Sequence, residues 1–121
     1  MKIIIAGSRD INNKSVIQKT IWESPFSITE VVCGEARGVD TLGKEWAIEN
    51  SIPVKSFKPD WNKYALKAGF IRNAEMADYA DGAIVIMFSK GTSGSKNMIQ
   101  QMRKRNKPCF IKLIEERNKD A

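Results

Sequence analysis

Short apolar runs alternate along the chain with longer stretches in which apolar residues recur at helical spacing. Lys2 to Ala6 is a continuous apolar run that predicts a buried strand, closed by Gly7. Asn12 or Asn13 stands at a cap position ahead of Val16, Ile17, Thr20 and Ile21, which share one helical face, and Pro25 ends that region. Ile28 to Cys33 predicts a second strand, and Val39, Leu42, Trp46 and Ala47 form the stripe of a second helix. Ile52 to Phe57 predicts a third strand, with Pro53 near its start, where a strand tolerates proline. The segment from Lys58 to Gly69 has no clear period. A third helix then carries Ile71, Ala74, Met76, Ala77 and Ala80. Gly82 to Phe88 is the most continuously apolar strand and belongs at the centre of the sheet. The polar loop "SKGTSGSKN" leads to a fourth helix bearing Met98, Ile99 and Met102, and Pro108 to Leu113 predicts the last strand.

Strand and helix thus alternate through the chain, which predicts an α/β fold with a mostly parallel sheet of five strands. Right-handed crossovers place helices on both faces of such a doubly wound sheet. The expected strand order is 3-2-1-4-5, so the ligand crevice should open between the first and fourth strands, outside their C-terminal ends. The 121 residues suit one domain, read as residues 1–113, followed by a polar tail over residues 114–121.

Three strand-to-helix turns should meet at that edge. They read "GSRD" (Gly7 to Asp10), "GEARGVD" (Gly34 to Asp40) and "SKGTSGS" (Ser89 to Ser95). Glycines permit close backbone approach, successive free N–H groups form anion-binding nests, and a helix N-terminus adds its dipole. Hydroxyls at Ser8, Thr92, Ser93 and Ser95 add donors, and Arg9 and Arg37 can grip phosphate or carboxylate in bidentate fashion. The turn of Gly34 to Gly38 is accordingly read as a phosphate cradle with Arg37 and the backbone as donors. No turn matches GxGxxG or the Walker A spacing, which argues against a dinucleotide oxidoreductase and a P-loop NTPase.

Composition narrows the chemistry further. The chain has no histidine, so Ser-His triads and histidine-based metal sites are excluded, and no metal or cofactor is expected. Cys33 and Cys109 lie in or beside predicted strands without CxxC spacing, which reads as reduced, buried thiols of a cytoplasmic protein. No apolar run approaches the roughly 20 residues needed to cross a bilayer, and the first apolar run reads as a core strand rather than a signal peptide. The net charge is +6, with a late excess that includes Arg103, Lys104, Arg105 and Lys107. Such a balance favours anionic partners, although "RKRNK" is equally suited to a helix C-terminus, where the dipole favours cations.

Two further stretches bear on the ligand. "PDWNKYALKAG" (Pro59 to Gly69) carries Trp61 and Tyr64, which either stack on a base or pack a hydrophobic corner. "GFIRNAEMAD" (Gly69 to Asp78) places Arg72 and Asn73 near a helix start; Arg72 either meets a ligand or pairs with Glu75 or Asp78 on the surface. Met98 and Met102 suit either core packing or an interface.

Together "GSRD", "VVCGEARGVDTLGKEWA", "KPDWNKYALKAGFIRNAEMAD" and "SKGTSGSKNMI" resemble the YspA-like family of the SLOG superfamily, over most of the chain from Met1 to Ile111. The resemblance implies a Rossmann-like fold that binds a nucleotide or nucleotide-derived ligand. Relatives include the LOG phosphoribohydrolases, sensor domains that bind ADP-ribose-like signals, and the single-stranded-DNA-binding protein DprA. Carried over, the implied ligand positions are Gly7, Ser8, Arg9, Gly34, Arg37, Gly38, Asp40, Arg72, Asn73, Gly91, Thr92, Gly94 and Ser95, to which the aromatic argument adds Trp61. The LOG enzymes carry a PGGxGTxxE turn; here Met98 falls at the glutamate position and the preceding PGG is absent. Arg72 matches the LOG arginine but is no base at neutral pH, leaving Glu35 and Asp40 as candidate acids. Asp40 also suits capping of the second helix or orienting Arg37.

The first reading is therefore a sensor or sequestering module for a phosphorylated nucleoside, such as an ADP-ribose-like or cyclic nucleotide. The alternatives are an N-glycosidase acting on nucleoside monophosphates through Arg72 with Glu35 or Asp40, and a single-stranded-DNA binder using the basic fourth helix and Trp61. A homodimer that closes the crevice is expected as an additional partner, because SLOG relatives assemble. A membrane partner is not expected.

Overall fold

The computed structural model describes residues 1–91 and 93–115. Thr92, expected in the third glycine turn, and residues 116–121 of the expected tail lie outside the described residues. The elements run β1 (Lys2–Gly7), α1 (Lys14–Glu23), β2 (Glu30–Cys33), α2 (Val39–Glu49), β3 (Val54–Ser56), α3 (Trp61–Tyr64), α4 (Ala68–Tyr79), β4 (Gly82–Phe88), α5 (Ser93–Lys104) and β5 (Cys109–Ile114). All neighbouring strands are parallel and lie in the order β3-β2-β1-β4-β5, the doubly wound arrangement predicted from the alternation.

Alternation along the strands divides the core in two. Ile3, Ile5, Val31, Ile84 and Ile86 point to the face covered by α1 and α2, where Ile17, Ile21, Val39 and Ala47 meet them. Ile4, Ala6, Val32, Ala83, Val85 and Met87 point to the face covered by α4 and α5. Met98 and Met102 are buried on that second face, so the methionine stripe is core rather than a free surface. The central pair β1 and β4 is in register from Ile3 with Gly82 to Gly7 with Ile86. Close approach at the end of that pair requires glycine: a Cβ on Gly7 would stand 1.8 Å from the Ile86 carbonyl oxygen.

Local signals set most helix ends. Asn13 Oδ1 accepts from the Ser15 N–H at 3.0 Å, resolving the choice between Asn12 and Asn13 as the cap of α1. Asp60 caps α3 in the same manner, accepting from the Lys63 N–H at 3.1 Å. This four-residue helix and the 3₁₀ turn after it (Ala65–Lys67) occupy the stretch that lacked a clear period, because neither is long enough to show one. β2 and β3 are shorter than the apolar runs suggest. β2 begins at Glu30 rather than Ile28, and β3 covers three residues. Its hydrogen bonding nonetheless continues outward, from the Val31 N–H to the Pro53 carbonyl and from the Phe57 N–H to the Cys33 carbonyl. β5 extends through Ile114, one residue into the segment read as tail.

Part of the late positive charge has a structural use. Arg105 Nε donates to Asp78 Oδ1 at 2.6 Å, and Lys107 Nζ donates to the carbonyls of Ala77 and Asp78 at 2.8 and 3.0 Å. These bonds tie the end of α5 to the end of α4, where unpaired carbonyls favour cations. Asp78 is thus engaged by Arg105, not by Arg72. Among the described residues, no helix is long and apolar enough to cross a membrane.

Candidate functional site

The turns after β1, β2 and β4 meet at the C-terminal edge of the sheet. The first two touch through backbone. The Ser8 carbonyl accepts from the N–H groups of Ile11 (3.4 Å) and Val39 (3.3 Å). Gly38 sits at φ 74 and ψ −125, and a Cβ there would come within 2.5 Å of the Ser8 and Arg9 carbonyl oxygens. Gly38 is therefore what lets the second turn lie on the first. Ser8 is 1% exposed; its Oγ accepts from the Phe88 N–H at 3.2 Å, so it binds the first turn to the end of β4 and lies beneath the surface.

Asp40, in the first turn of α2, organises the second turn from inside. The backbone N–H groups of Ala36, Gly34 and Gly7 lie close enough to its carboxylate to favour the charged form, as does Arg72 beside it. Burial pushes the Asp40 carboxyl above its ordinary value of 3.8, against the opposing pull of Arg72 and those donors. Asp40 neither caps α2, whose cap is Gly38 without a side-chain bond, nor orients Arg37, which pairs with Asp10 at 3.3 Å. The turn read from sequence as a phosphate cradle at Gly34 to Gly38 thus has the buried Asp40 carboxylate close to its backbone.

Arg72 reaches across from α4. Its Nη1 donates to the Gly34 carbonyl and its Nε to Asn73 Oδ1 at 3.1 Å. Asn73, 5% exposed, passes the connection on through Nδ2 to the Gly94 carbonyl and Asn97 Oδ1, both at 3.2 Å. One chain of bonds therefore runs from the second turn through α4 to the first turn of α5. Burial lowers the Arg72 pKa, Asp40 raises it, and the charge of Arg9 lowers it again. The guanidinium of Arg72 thus lies within repulsive range of that of Arg9.

Above this frame open two adjoining cavities of about 320 Å³ each. The first is lined by Gly7, Arg9 and Asp10 from the first turn, Ala36, Arg37 and Asp40 from the second, Arg72 and Asn73 from α4, and Ser93, Gly94, Ser95 and Met98 from α5. The second is lined by Gly34, Glu35, Pro59 and Trp61, and shares Arg9, Ala36, Arg37 and Arg72 with the first. Trp61 is 52% exposed, so its ring is not consumed by a hydrophobic corner. Of the residues proposed from sequence, Ser8, Gly38 and Gly91 line neither cavity, and Thr92 lies outside the described residues. Asp10, Ala36, Met98 and Pro59 were not among them, though each lies within three residues of one that was. Among the described residues, no group of three or more Cys, Asp or Glu is placed to hold a metal ion.

The arrangement offers cationic donors around a shared centre, an exposed indole at one end and the start of a helix at the other. It offers little for proton transfer. Asp40 is buried, Asp10 is paired with Arg37, Arg72 cannot accept a proton, and Met98 presents a thioether. Glu35 is the remaining carboxylate on the wall of the second cavity.

Comparison with known proteins agrees with this architecture. The family model described as YspA, cpYpsA-related SLOG family matches residues 1–64, which hold β1 to α3 and both interlocked turns. The gene 61 protein of Mycobacterium phage D29 is 27% identical over 123 aligned positions, covering 90% of this chain and 94% of that protein. The fold is similar to the X-ray structure of DNA processing protein A (DprA) from Streptococcus pneumoniae, with a TM-score of 0.71 at 18% identity over 91% of this chain. This chain spans 49% of that one, and the likeness concerns the fold alone. With its matched segment carrying the first two turns of the site, the chain belongs to the YspA, cpYpsA-related SLOG family.

Proposed function

We propose that the paired cavities bind a phosphorylated nucleoside, with phosphate at their shared centre and the base against Trp61. The observation that carries this reading is the sharing of Arg9, Arg37 and Arg72 by both cavities. Arg9 and Arg72 repel each other, and an anion between them converts that repulsion into two charge-assisted contacts. The start of α5 at Ser93 to Ser95 supports the same choice from the other side. Trp61 and Pro59 supply the apolar surface that a base needs at the far end of the second cavity.

Binding without cleavage fits the residues better than hydrolysis, because Asp40 is buried and Asp10, on the wall of the first cavity, is paired with Arg37 at 3.3 Å. Isothermal titration with nucleoside 5′-monophosphates and diphosphates tests the proposal. Binding is expected, and Arg9→Ala should weaken it by at least about tenfold, since a lost hydrogen bond to a charged group is worth that much. Arg9 is exposed, so the fold should be retained in that variant. Failure of every nucleotide to bind would remove the proposal, and release of free base during the titration would replace it with the glycosidase reading.

The fold neighbour's name concerns DNA processing, and Trp61 beside a basic rim also suits a single strand. Yet Arg105 and Lys107 of the late basic run are bonded to α4. Single-stranded DNA is therefore the comparison ligand in the same titration, with affinity expected to fall steeply with salt if the strand is the ligand.

A further inference from the structure

Glu35 is out of place in a site built for phosphate. It is the one carboxylate on the wall of the second cavity, where Arg9, Arg37 and Arg72 also stand. Its backbone has φ 59, in the left-handed region that favours glycine, at a cost of about 1 kcal/mol for a residue with a side chain. Strain of this kind persists where the surroundings impose it, and it collects at ligand contacts. Among the described residues, the Glu35 carboxylate has no ion-pair partner within 4.0 Å, and the side chain is exposed to the cavity mouth. A carboxylate placed there repels phosphate and accepts hydrogen bonds, so it suits a part of the ligand that donates.

Position decides which part. Gly34 and Glu35 line the second cavity alone, whereas the next two residues, Ala36 and Arg37, line both. Pro59 and Trp61 form the wall belonging only to the second cavity. Glu35 therefore lines the part of the site that Pro59 and Trp61 also line, outside the first cavity, and belongs with the nucleoside part of the ligand rather than its phosphate. In a nucleotide the group between phosphate and base is the sugar, and its donors are hydroxyls. We infer that Glu35 accepts hydrogen bonds from the ribose hydroxyls and makes the site select ribonucleotides over 2′-deoxyribonucleotides. This inference rests on the nucleotide reading above.

The test compares the four common ribonucleoside 5′-monophosphates with their 2′-deoxy counterparts by isothermal titration, on the wild-type chain and on Glu35→Gly. Glycine removes the carboxylate and relaxes the backbone, so the variant should fold at least as well as the wild type. The wild type is expected to prefer the ribose form by about tenfold or more, the worth of a hydrogen bond to a charged acceptor. In Glu35→Gly the preference should collapse through loss of ribonucleotide affinity, with deoxyribonucleotide affinity unchanged or higher. Equal binding of both sugars by the wild type overturns the inference while leaving the nucleotide reading intact. So does a variant that keeps its sugar preference, or one that changes only its preference among bases. Binding of neither sugar form overturns the nucleotide reading and the ribose assignment with it.

Discussion

At the scale of single residues the site is ruled by Asp40. One buried carboxylate lies close to the backbone N–H groups of Gly7, Gly34 and Ala36, in two turns, and stands beside Arg72. Buried carboxylates persist where hydrogen bonds and a cation compensate them, and here burial still prevails and holds the carboxyl above 3.8. The sign of the consequence follows. A carboxyl whose pKa is raised on folding binds its proton more tightly in the folded chain, so its contribution to stability is present in full below 3.8 and is lost as pH rises through the folded value. Asp40→Asn removes the titration and changes a polar group at a buried position, and should cost roughly 1–3 kcal/mol. Its deficit relative to the wild type should be larger in acid and narrow as pH rises above 3.8, measured by urea unfolding at a series of pH values. A deficit that is constant or widens with pH would show that the neighbours, not burial, prevail. Nothing in the sequence distinguishes this role: an aspartate two residues after a glycine is equally suited to a cap, an acid or a partner for Arg37.

At the scale of elements, the glycines of the three turns differ in what they do, although they look alike in the sequence. Gly38 joins two turns through a conformation that side chains rarely adopt, with carbonyl oxygens 2.5 Å from any Cβ. Gly94, in the first turn of α5, has open space where its Cβ would be, and it lines the first cavity. Gly38→Ala should therefore lose roughly 2–4 kcal/mol, or about 10 °C in melting temperature for a chain of this size. Gly94→Ala should melt at the wild-type temperature or above it, since alanine favours helix, and should still bind nucleotide less well because its methyl enters the cavity. Thermal unfolding and titration of the two variants separate these roles; equal melting temperatures would contradict the backbone argument. The same distinction explains what was legible. Apolar alternation specified the five strands, their order and the four longer helices, because burial on both faces of a parallel sheet leaves a strong pattern. The convergence of turns at one edge followed from that order. The bond from Phe88 to the buried Ser8 and the bond from Arg72 to Gly34 join residues 80 and 38 positions apart, the depth of Asp40 depends on burial, and no local pattern encodes them.

For the molecule as a whole, the site sets stability against binding. The chain carries +6, and two of its cations, Arg9 and Arg72, line both cavities within repulsive range of each other. Arg37 is only loosely held, by an exposed pair with Asp10 that contributes about 0–1 kcal/mol. Under the proposed reading, such an arrangement should leave the ligand-free protein less stable than its core permits, and an anion that enters should recover the deficit. An anion present at about one hundred times its dissociation constant adds about 2.7 kcal/mol, or roughly 10 °C for a chain of this length. Inorganic pyrophosphate should therefore raise the melting temperature of the wild type well above the effect of sodium chloride at matched ionic strength. In Arg9→Ala the ligand-free melting temperature should equal or exceed that of the wild type, because the repulsion on Arg72 is gone, while the response to pyrophosphate should largely disappear. Scanning calorimetry of both chains, with and without pyrophosphate, measures the two effects together. A ligand-free Arg9→Ala that melts lower than the wild type would place Arg9 in the fold rather than in the site. A variant that responds fully to pyrophosphate would move the anion away from the centre shared by the two cavities.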